Sequence, residues 1–400
     1  MLSRRGFRYR IYPTVEQEAR LRGWEGALRA LWNAALEQRL EYLKRHARMP
    51  SAFDQINQLT ALRADVPWMA DVPRNTASQL LVDLDQAWQR CFTKLGRRPR
   101  WKKKGRDTVA ITEPHSKVFR PTATGVVFPK LGEIRAVLHR PIRGTPKRCT
   151  ISREVDQWFV SIQCEETVAD PEARMAPVVA IDRGVSNLLA DSDGVLIPNP
   201  KRLDATLKRL ARAQRVVARR QKGSRRRERA KLRVAKLHRK VCRQREHGLH
   251  VLSARYAKSH GVVIVEDLNV AGMVRGGLGR QIAGAGWSTF CSMLRYKLEA
   301  TGGTLVEVPA HYSSQTCQAC GVVDAASRSG EIFNCAACGH RAHADLNAAQ
   351  VLLSRRNGGD AGRGASGEVS RPVKRQLRVV RRGRSTQGLG LLKSPGLQAG

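Results

Sequence analysis

Seven side chains in this 400-residue sequence have the types and spacing for metal chemistry. Asp182 ends the apolar run "VVAID", Glu266 ends "VVIVE" just before Asp267, and Asp345 opens "DLNAAQVLL". A charge at the tip of a core strand costs free energy unless something pairs with it. Taken singly, Asp182 would cap a turn with Gly184, and Asp345 would be a common dipole partner in a first helical turn. One carboxylate cannot hold a catalytic metal, so a metal site would need all three. The recurrence of an apolar run with an acidic tip at 262–266 points to two neighbouring strands of one sheet, their acids converging. The other four residues are Cys317-x2-Cys320 and Cys335-x2-Cys338, with fourteen residues between the pairs, the spacing of a tetrathiolate zinc site. Such sites are closed and structural. A disulfide pair is the alternative, which a reducing cytosol disfavours. His340 and His343 lie just beyond and could compete as ligands, although four thiolates suffice.

The elements that must position these groups follow from pattern. "FRYRIYP" alternates Phe7, Tyr9 and Ile11 with arginines as a strand, and Thr14 to Gln17 is a capping box. Leu21, Trp24, Leu28 and Leu31 then recur at helical spacing, and helical patterning runs to about residue 95 with breaks near Pro50, Pro67 and Pro73. Residues 96–175 open with the basic loop "GRRPRWKKKGRD", centred on Trp101, and continue as strands. These include the hairpin-like "RCTISREVDQWFVSIQCEE", and together they suggest a small antiparallel barrel or sheet that the first strand could close. After the Asp182 strand, "VSNLLADSDGVLI" should fold back upon it. Two basic helices follow, separated at Gly223-Ser224, with apolar stripes Leu203-Leu207-Leu210-Ala213-Val217 and Ala230-Val234-Leu237-Val241. The end of the chain, 354–400, is rich in Gly, Ser and Arg without apolar period and reads as a disordered basic tail.

Composition bounds the partners. The sequence carries 72 Lys and Arg against 34 Asp and Glu, a net charge of +38, and self-repulsion on that scale calls for polyanions. Between 201 and 250 there are 20 Lys and Arg against 3 acids, more than a salt-bridged solvated face needs, so phosphate contact is the favoured reading. No apolar run of membrane-spanning length occurs, and "MLSRRGFRYR" lacks the apolar stretch of a secretion signal, so a cytoplasmic place without membrane is expected. The five cysteines outside the two pairs are scattered singly and look like small buried residues.

Together, the two strand-end acids (the second followed by "DLN"), the four cysteines preceded by "YSSQT", and "ADLNAA" resemble the TnpB family, transposon-encoded RNA-guided DNA endonucleases akin to compact type V CRISPR effectors. The segments 7–36 and 286–308 are also similar to that family, and the likeness extends in order over residues 5–353. It implies an α/β architecture: an RNase H-like (RuvC) nuclease core over 176–353 with a zinc-ribbon insert at 312–342. Added to this are a helical recognition lobe over 14–95 and a wedge-like β domain from residues 1–13 and 96–175. It further implies phosphodiester hydrolysis with two Mg2+ ions roughly 3.5–4 Å apart, held by Asp182, Glu266 and Asp345, plus one structural Zn2+ on Cys317, Cys320, Cys335 and Cys338. Asp267 and Asn347 would stand behind the ligands or at the helix start. The implied partners are guide RNA and target DNA, in a prokaryotic cytoplasm at the nucleoid. Arg183 departs from the family pattern, which commonly has an apolar residue there, and Ala344 stands where many members carry Arg. A type V CRISPR effector would share every one of these residues. A non-cleaving RNA-guided binder would be expected to lack one or more of the acids, and a structural RNA-binding protein would leave their order unexplained. A cut-and-paste transposase does not fit the zinc-ribbon placement.

Overall fold

The computed structural model describes residues 2–45, 48–172 and 174–356. Strand β1 (Leu2–Tyr12) turns Phe7, Tyr9 and Ile11 inward on alternate positions. The capping box read from sequence is formed: the Gln17 backbone N–H donates to Thr14 Oγ1 at 3.2 Å, and Thr14 N–H to Gln17 Oε1 at 3.0 Å. It starts α1 (Val15–Arg45), whose Leu21, Trp24, Leu28 and Leu31 are buried. Helices α2 (Ala52–Asp65), α3 (Pro67–Asp71) and α4 (Arg74–Phe92) follow, and the prolines fall at their boundaries, where no helical N–H is lost.

Strands β2 (Ile111–Glu113), β3 (Arg120–Pro121), β4 (Gly125–Phe128), β5 (Gly132–Val137), β6 (Thr145–Glu154) and β7 (Gln157–Thr167) join β1 in one sheet. Its order is β2-β6-β7-β1-β5-β4-β3, all antiparallel. The first strand is therefore central, laddered to β7 from Leu2 to Ile11 and to β5 from Arg10 to Tyr12. One continuous core joins this sheet to α1, α2, α3 and α4.

The second sheet is built by β8 (Val178–Asp182), β9 (Asn187–Asp191) and β10 (Leu196–Pro198), then β11 (Val262–Asp267) and β12 (Thr304–Pro309). Between β10 and β11 run α5 (Asp204–Arg219) and α6 (Arg225–Ser259), parted at Gly223-Ser224 as the sequence implies, with Ser224 Oγ capping α6. Between β11 and β12 lie α7 (Val270–Met273), α8 (Gly279–Ala285) and α9 (Trp287–Glu299). A three-stranded sheet of β13 (Arg328–Ser329), β14 (Ile332–Asn334) and β15 (Arg341–His343) precedes the last helix, α10 (Ala344–Arg356).

Strand order in the second sheet is β10-β9-β8-β11-β12, with β8, β11 and β12 parallel and the β8–β9–β10 meander antiparallel. It is covered on both faces, as parallel strands require. Val179, Ile181, Val263 and Val265 pack with Leu249 and Tyr256 of α6 and Phe290 and Leu294 of α9. Ala180, Ile264 and Val308 pack with Leu352 of α10 on the opposite face. The apolar stripes of α5 and α6 are only partly covered: Leu210, Ala213 and Val241 are buried, while Leu203, Leu207, Val217, Ala230, Val234 and Leu237 stay half-buried. Nearly all of the expected basic tail lies outside the described residues, and its first three residues, 354–356, form the last turn of α10.

Candidate functional site

Period-two alternation decides where the acids point. Asp182 shares the face of Ala180, and Glu266 that of Ile264, so both carboxylates emerge on the α10 side at the carboxyl ends of adjacent parallel strands. The first turn of α10 presents Asp345 to the same place. All three residues are buried, at 9%, 7% and 7% exposure. The charges of Glu266 and Asp345 both act on Asp182.

Crowding has an electrostatic signature. Burial first, then the negative charges of Glu266 and Asp345, push the Asp182 carboxyl up to about 8. Burial also raises Glu266, against the opposing hydrogen bond from Ser313 and the charge of Arg183. Glu266 and Asp345 have fixed neighbours. Ser313 Oγ donates to Glu266 Oε1 at 2.6 Å. Arg328 Nη2 donates to Asp345 Oδ1 at 2.9 Å, and Asn187 Nδ2 to Asp345 Oδ2 at 3.1 Å. Gly184 makes the tight β8–β9 turn possible: a Cβ there would stand 2.6 Å from the Asn187 carbonyl oxygen and 3.7 Å from Asp345 Oδ2.

Arg183 points the other way, into the α9 face, and is 7% exposed. Its Nη1 donates to Cys291 Sγ at 3.1 Å, and its Nη2 to the backbone carbonyl of Glu266. The β8–β11 ladder has ended one residue earlier, at Ile181 opposite Val265. The guanidinium thus supplies the carbonyl of Glu266 with the donor that strand pairing no longer provides. The departure from the family pattern at this position is a positioning contact behind the acids.

The cysteines form a second centre. Their four Sγ atoms lie within 4.8 Å of one another, with Cys317–Cys338 at 3.7 Å and Cys320–Cys335 at 3.6 Å. These separations exceed a disulfide bond and match the edge of about 3.8 Å of a tetrahedron with 2.3 Å zinc–sulfur bonds. Each Cys-x2-Cys turn is closed by a glycine of positive φ, Gly321 at 76° and Gly339 at 71°, whose N–H bonds the carbonyl of Cys317 or Cys335 at 2.9 Å. Backbone N–H groups of Cys338 and Ala337 pull the Cys335 thiol down to about 7, which favours the thiolate. Both histidines have other work: His343 Nδ1 accepts from the Asp345 N–H at 3.2 Å, and His340 meets Gln318 at 3.1 Å.

Asn347 lies in the first turn of α10. Buried in α10, it accepts from the Gln318 N–H at 3.0 Å and donates to the Thr316 carbonyl at 2.7 Å, tying the first cysteine turn to α10. Asp267 is exposed. Reading by residue type missed Asn187, Ser313 and Arg328. Ser313 lies in the quoted "YSSQT", but nothing local marks Asn187 or Arg328.

Several cations of α6 are committed within the molecule, and so stand apart from those free to meet phosphate. Arg239 and Lys236 pair with Asp156 at 2.6 and 2.8 Å, and Arg243 with Glu154 at 3.1 Å, docking α6 on the β6–β7 turn. Those contacts hold the Asp156 carboxyl down at about 2, chiefly through Lys236. Arg212, Arg215, Arg226 and Arg229 are exposed.

Three family models match parts of the chain: a "Probable transposase" model over residues 161–276, a "Cas12f1-like, TNB domain" model over 287–352, and a "Helix-turn-helix domain" model over 1–48. Described residues of the last form a strand and one long helix. The chain is 30% identical to "Putative RNA-guided DNA endonuclease InsQ" of Escherichia coli K12, covering 87% of this chain and 91% of that protein. It is 33% identical to a Streptomyces pristinaespiralis protein named in the same way but without "InsQ", covering 94% of both chains. A solved Cas12f1–sgRNA–target DNA complex aligns over 88% of this chain and 100% of its own at 15% identity and a TM-score of 0.35. With near-complete coverage of two such relatives at 30% identity or more, the chain belongs to the TnpB family, to which the transposase model refers.

Proposed function

We propose that this protein is an RNA-guided DNA endonuclease whose RNase H-like core hydrolyses phosphodiester bonds at Asp182, Glu266 and Asp345. The observation that carries the reading is the burial of these three carboxylates together, from segments 79 to 163 residues apart in sequence, two at the carboxyl ends of paired parallel strands and one in the first turn of α10. The strand order, with a three-stranded antiparallel meander leading into two parallel strands, supports the RNase H-like assignment. Family membership supports guide RNA and target DNA as partners.

The donor set fits Mg2+. Three carboxylates crowded enough to hold a proton near neutral pH call for a cation, and Arg328 already sets a positive group against Asp345. Bound there, Mg2+ would supply a nucleophilic water at neutral pH and charge stabilisation at the phosphate. The chain's own residues do the positioning. Ser313 orients Glu266, Arg183 fixes its backbone, and Asn187 and Arg328 hold the two oxygens of Asp345 apart. Arg328, half-buried and paired with Asp345, carries a guanidinium that would complement a phosphate oxygen beside the carboxylates. The four-cysteine cluster suits one structural Zn2+, which would fix the segment that carries Ser313 and Arg328.

Purified protein loaded with its co-purifying RNA should cut a matching duplex in Mg2+. Glu266→Gln and Asp345→Asn should each lose at least a thousandfold in cleavage rate while binding the same duplex within about threefold. Near-normal cutting by either variant would remove that residue from the site. Binding without cutting by the unaltered protein would favour the non-cleaving binder.

A further inference from the structure

Trp101 has been given no role of its own so far. It is 43% exposed, in a loop with seven Lys and Arg between residues 97 and 106. Basic loops are usually pliable, and this one is held on both sides of the indole. The carbonyl of Arg100 accepts from Trp32 Nε1 at 3.0 Å. On the other flank, Lys102 makes a paired amide contact with Asn33, its N–H donating to Oδ1 at 2.9 Å and its carbonyl accepting from Nδ2 at 3.0 Å. The Lys102 ammonium is folded back over the Trp32 ring, 4.4 Å from its centroid. Asp107 closes the loop by accepting from Lys103 N–H at 2.9 Å and pairing with Arg100 at 3.0 Å. Two polar side chains of α1 therefore fix the residues before and after Trp101, while its own ring keeps an open face.

An aromatic face held in place among cations is complementary to a partner that is anionic and carries flat π surfaces. A protein hot spot fits poorly, because interface cores are depleted of charge, and here Arg100, Lys103, Lys104 and Arg106 are all exposed in the same loop. Nucleic acid has both properties: the cations meet phosphates, and base–aromatic stacking tolerates any sequence. Because the backbone is already ordered, stacking loses little conformational entropy. We propose that Trp101 is a preformed stacking platform for an unpaired nucleobase, bound where the loop's cations grip the adjoining phosphates. The proposal rests on the nucleic-acid part of the function above and not on its cleavage chemistry.

The test separates base from backbone. Full-length protein freed of nucleic acid is titrated with 12-mers of riboadenosine and of deoxyadenosine, and with an abasic 12-mer of equal charge. Stacking on one base by aromatic side chains is worth about five- to a hundredfold in affinity. Trp101→Leu should narrow the ratio of base-bearing to abasic affinity at least threefold, leaving abasic binding and the salt dependence unchanged. Trp101→Phe, which keeps a ring, should preserve the ratio within threefold. A loss on the ribo-, the deoxy- or both oligomers supports the proposal and identifies the strand. A ratio that narrows less than threefold in Trp101→Leu, or as far in Trp101→Phe, overturns the stacking role. No binding of any oligomer by the unaltered protein would overturn it together with the nucleic-acid reading, whereas normal binding without cleavage would touch only the cleavage chemistry.

Discussion

Asp182 shows at the residue scale how a buried acid opposes the fold that carries it. Its carboxyl titrates near 8 in the folded protein, through burial and two neighbouring acids, against about 3.9 for a free aspartate. The folded state thus holds a proton that the unfolded chain gives up. Stability from this group is complete below about pH 4 and is lost as pH rises towards 8. Asp182→Asn keeps the shape without the charge. In magnesium-free buffer it should melt at the same temperature as the unaltered protein near pH 4.5 and a few degrees higher at pH 8. Adding Mg2+ should raise the melting temperature of the unaltered protein at pH 8 and leave the variant where it was. Equal melting of the two proteins at both pH values would mean that Asp182 is not held against repulsion.

At the scale of elements, the cysteine-bearing segment is coupled to the acids by more than proximity. It contributes Ser313 to Glu266 and Arg328 to Asp345, and Asn347 of α10 clasps its first cysteine turn. Structural zinc supplies roughly 10–16 kcal/mol to small zinc domains, far more than a segment with one small buried cluster can replace. Cys335→Ser should therefore lose one zinc per molecule by metal analysis and expose 312–342 to proteolysis. Cleavage should fall at least a hundredfold, because two neighbours of the acids lose their support. The second sheet has its own cores on α6, α9 and α10 and should keep its circular dichroism. A variant that retains zinc, or a protein without stoichiometric zinc at the outset, would reject the cluster as a metal centre.

For the whole molecule, charge is divided between holding the fold and offering a surface. Lys236, Arg239 and Arg243 dock α6 on the β6–β7 turn, whereas Arg212, Arg215, Arg226 and Arg229 are exposed. Replacing those four by Gln should weaken duplex binding similarly for all sequences. It should also flatten the log–log salt dependence, by up to about 0.9 for each phosphate that is no longer neutralised. Replacing the docking three should instead lower the melting temperature and change the slope less. Titrations at several salt concentrations, with and without guide RNA, distinguish the two groups. An unchanged slope for the four-residue variant in both samples would leave these arginines as a solvated face.

Much of this arrangement was legible in the sequence, because local physics writes it there. Alternation marked β1 and its inward residues. Capping and proline marked the helix starts, and Cys-x2-Cys-Gly encodes each cysteine turn in five residues. The acids at 182 and 266 were visible as charges ending apolar runs, since no other position in a buried strand tolerates one. What tertiary structure alone decided was who stands beside them. Asn187, Ser313 and Arg328 reach the acids from up to 158 residues away in the chain, and Arg183 turns from the site to the Glu266 carbonyl where the strand ladder ends. The division of the basic helices between docking and open surface was equally hidden. A charge's type is local, but its partner is set by which segments the packed sheet and helices bring within about 3 Å, and no spacing along the chain encodes that distance.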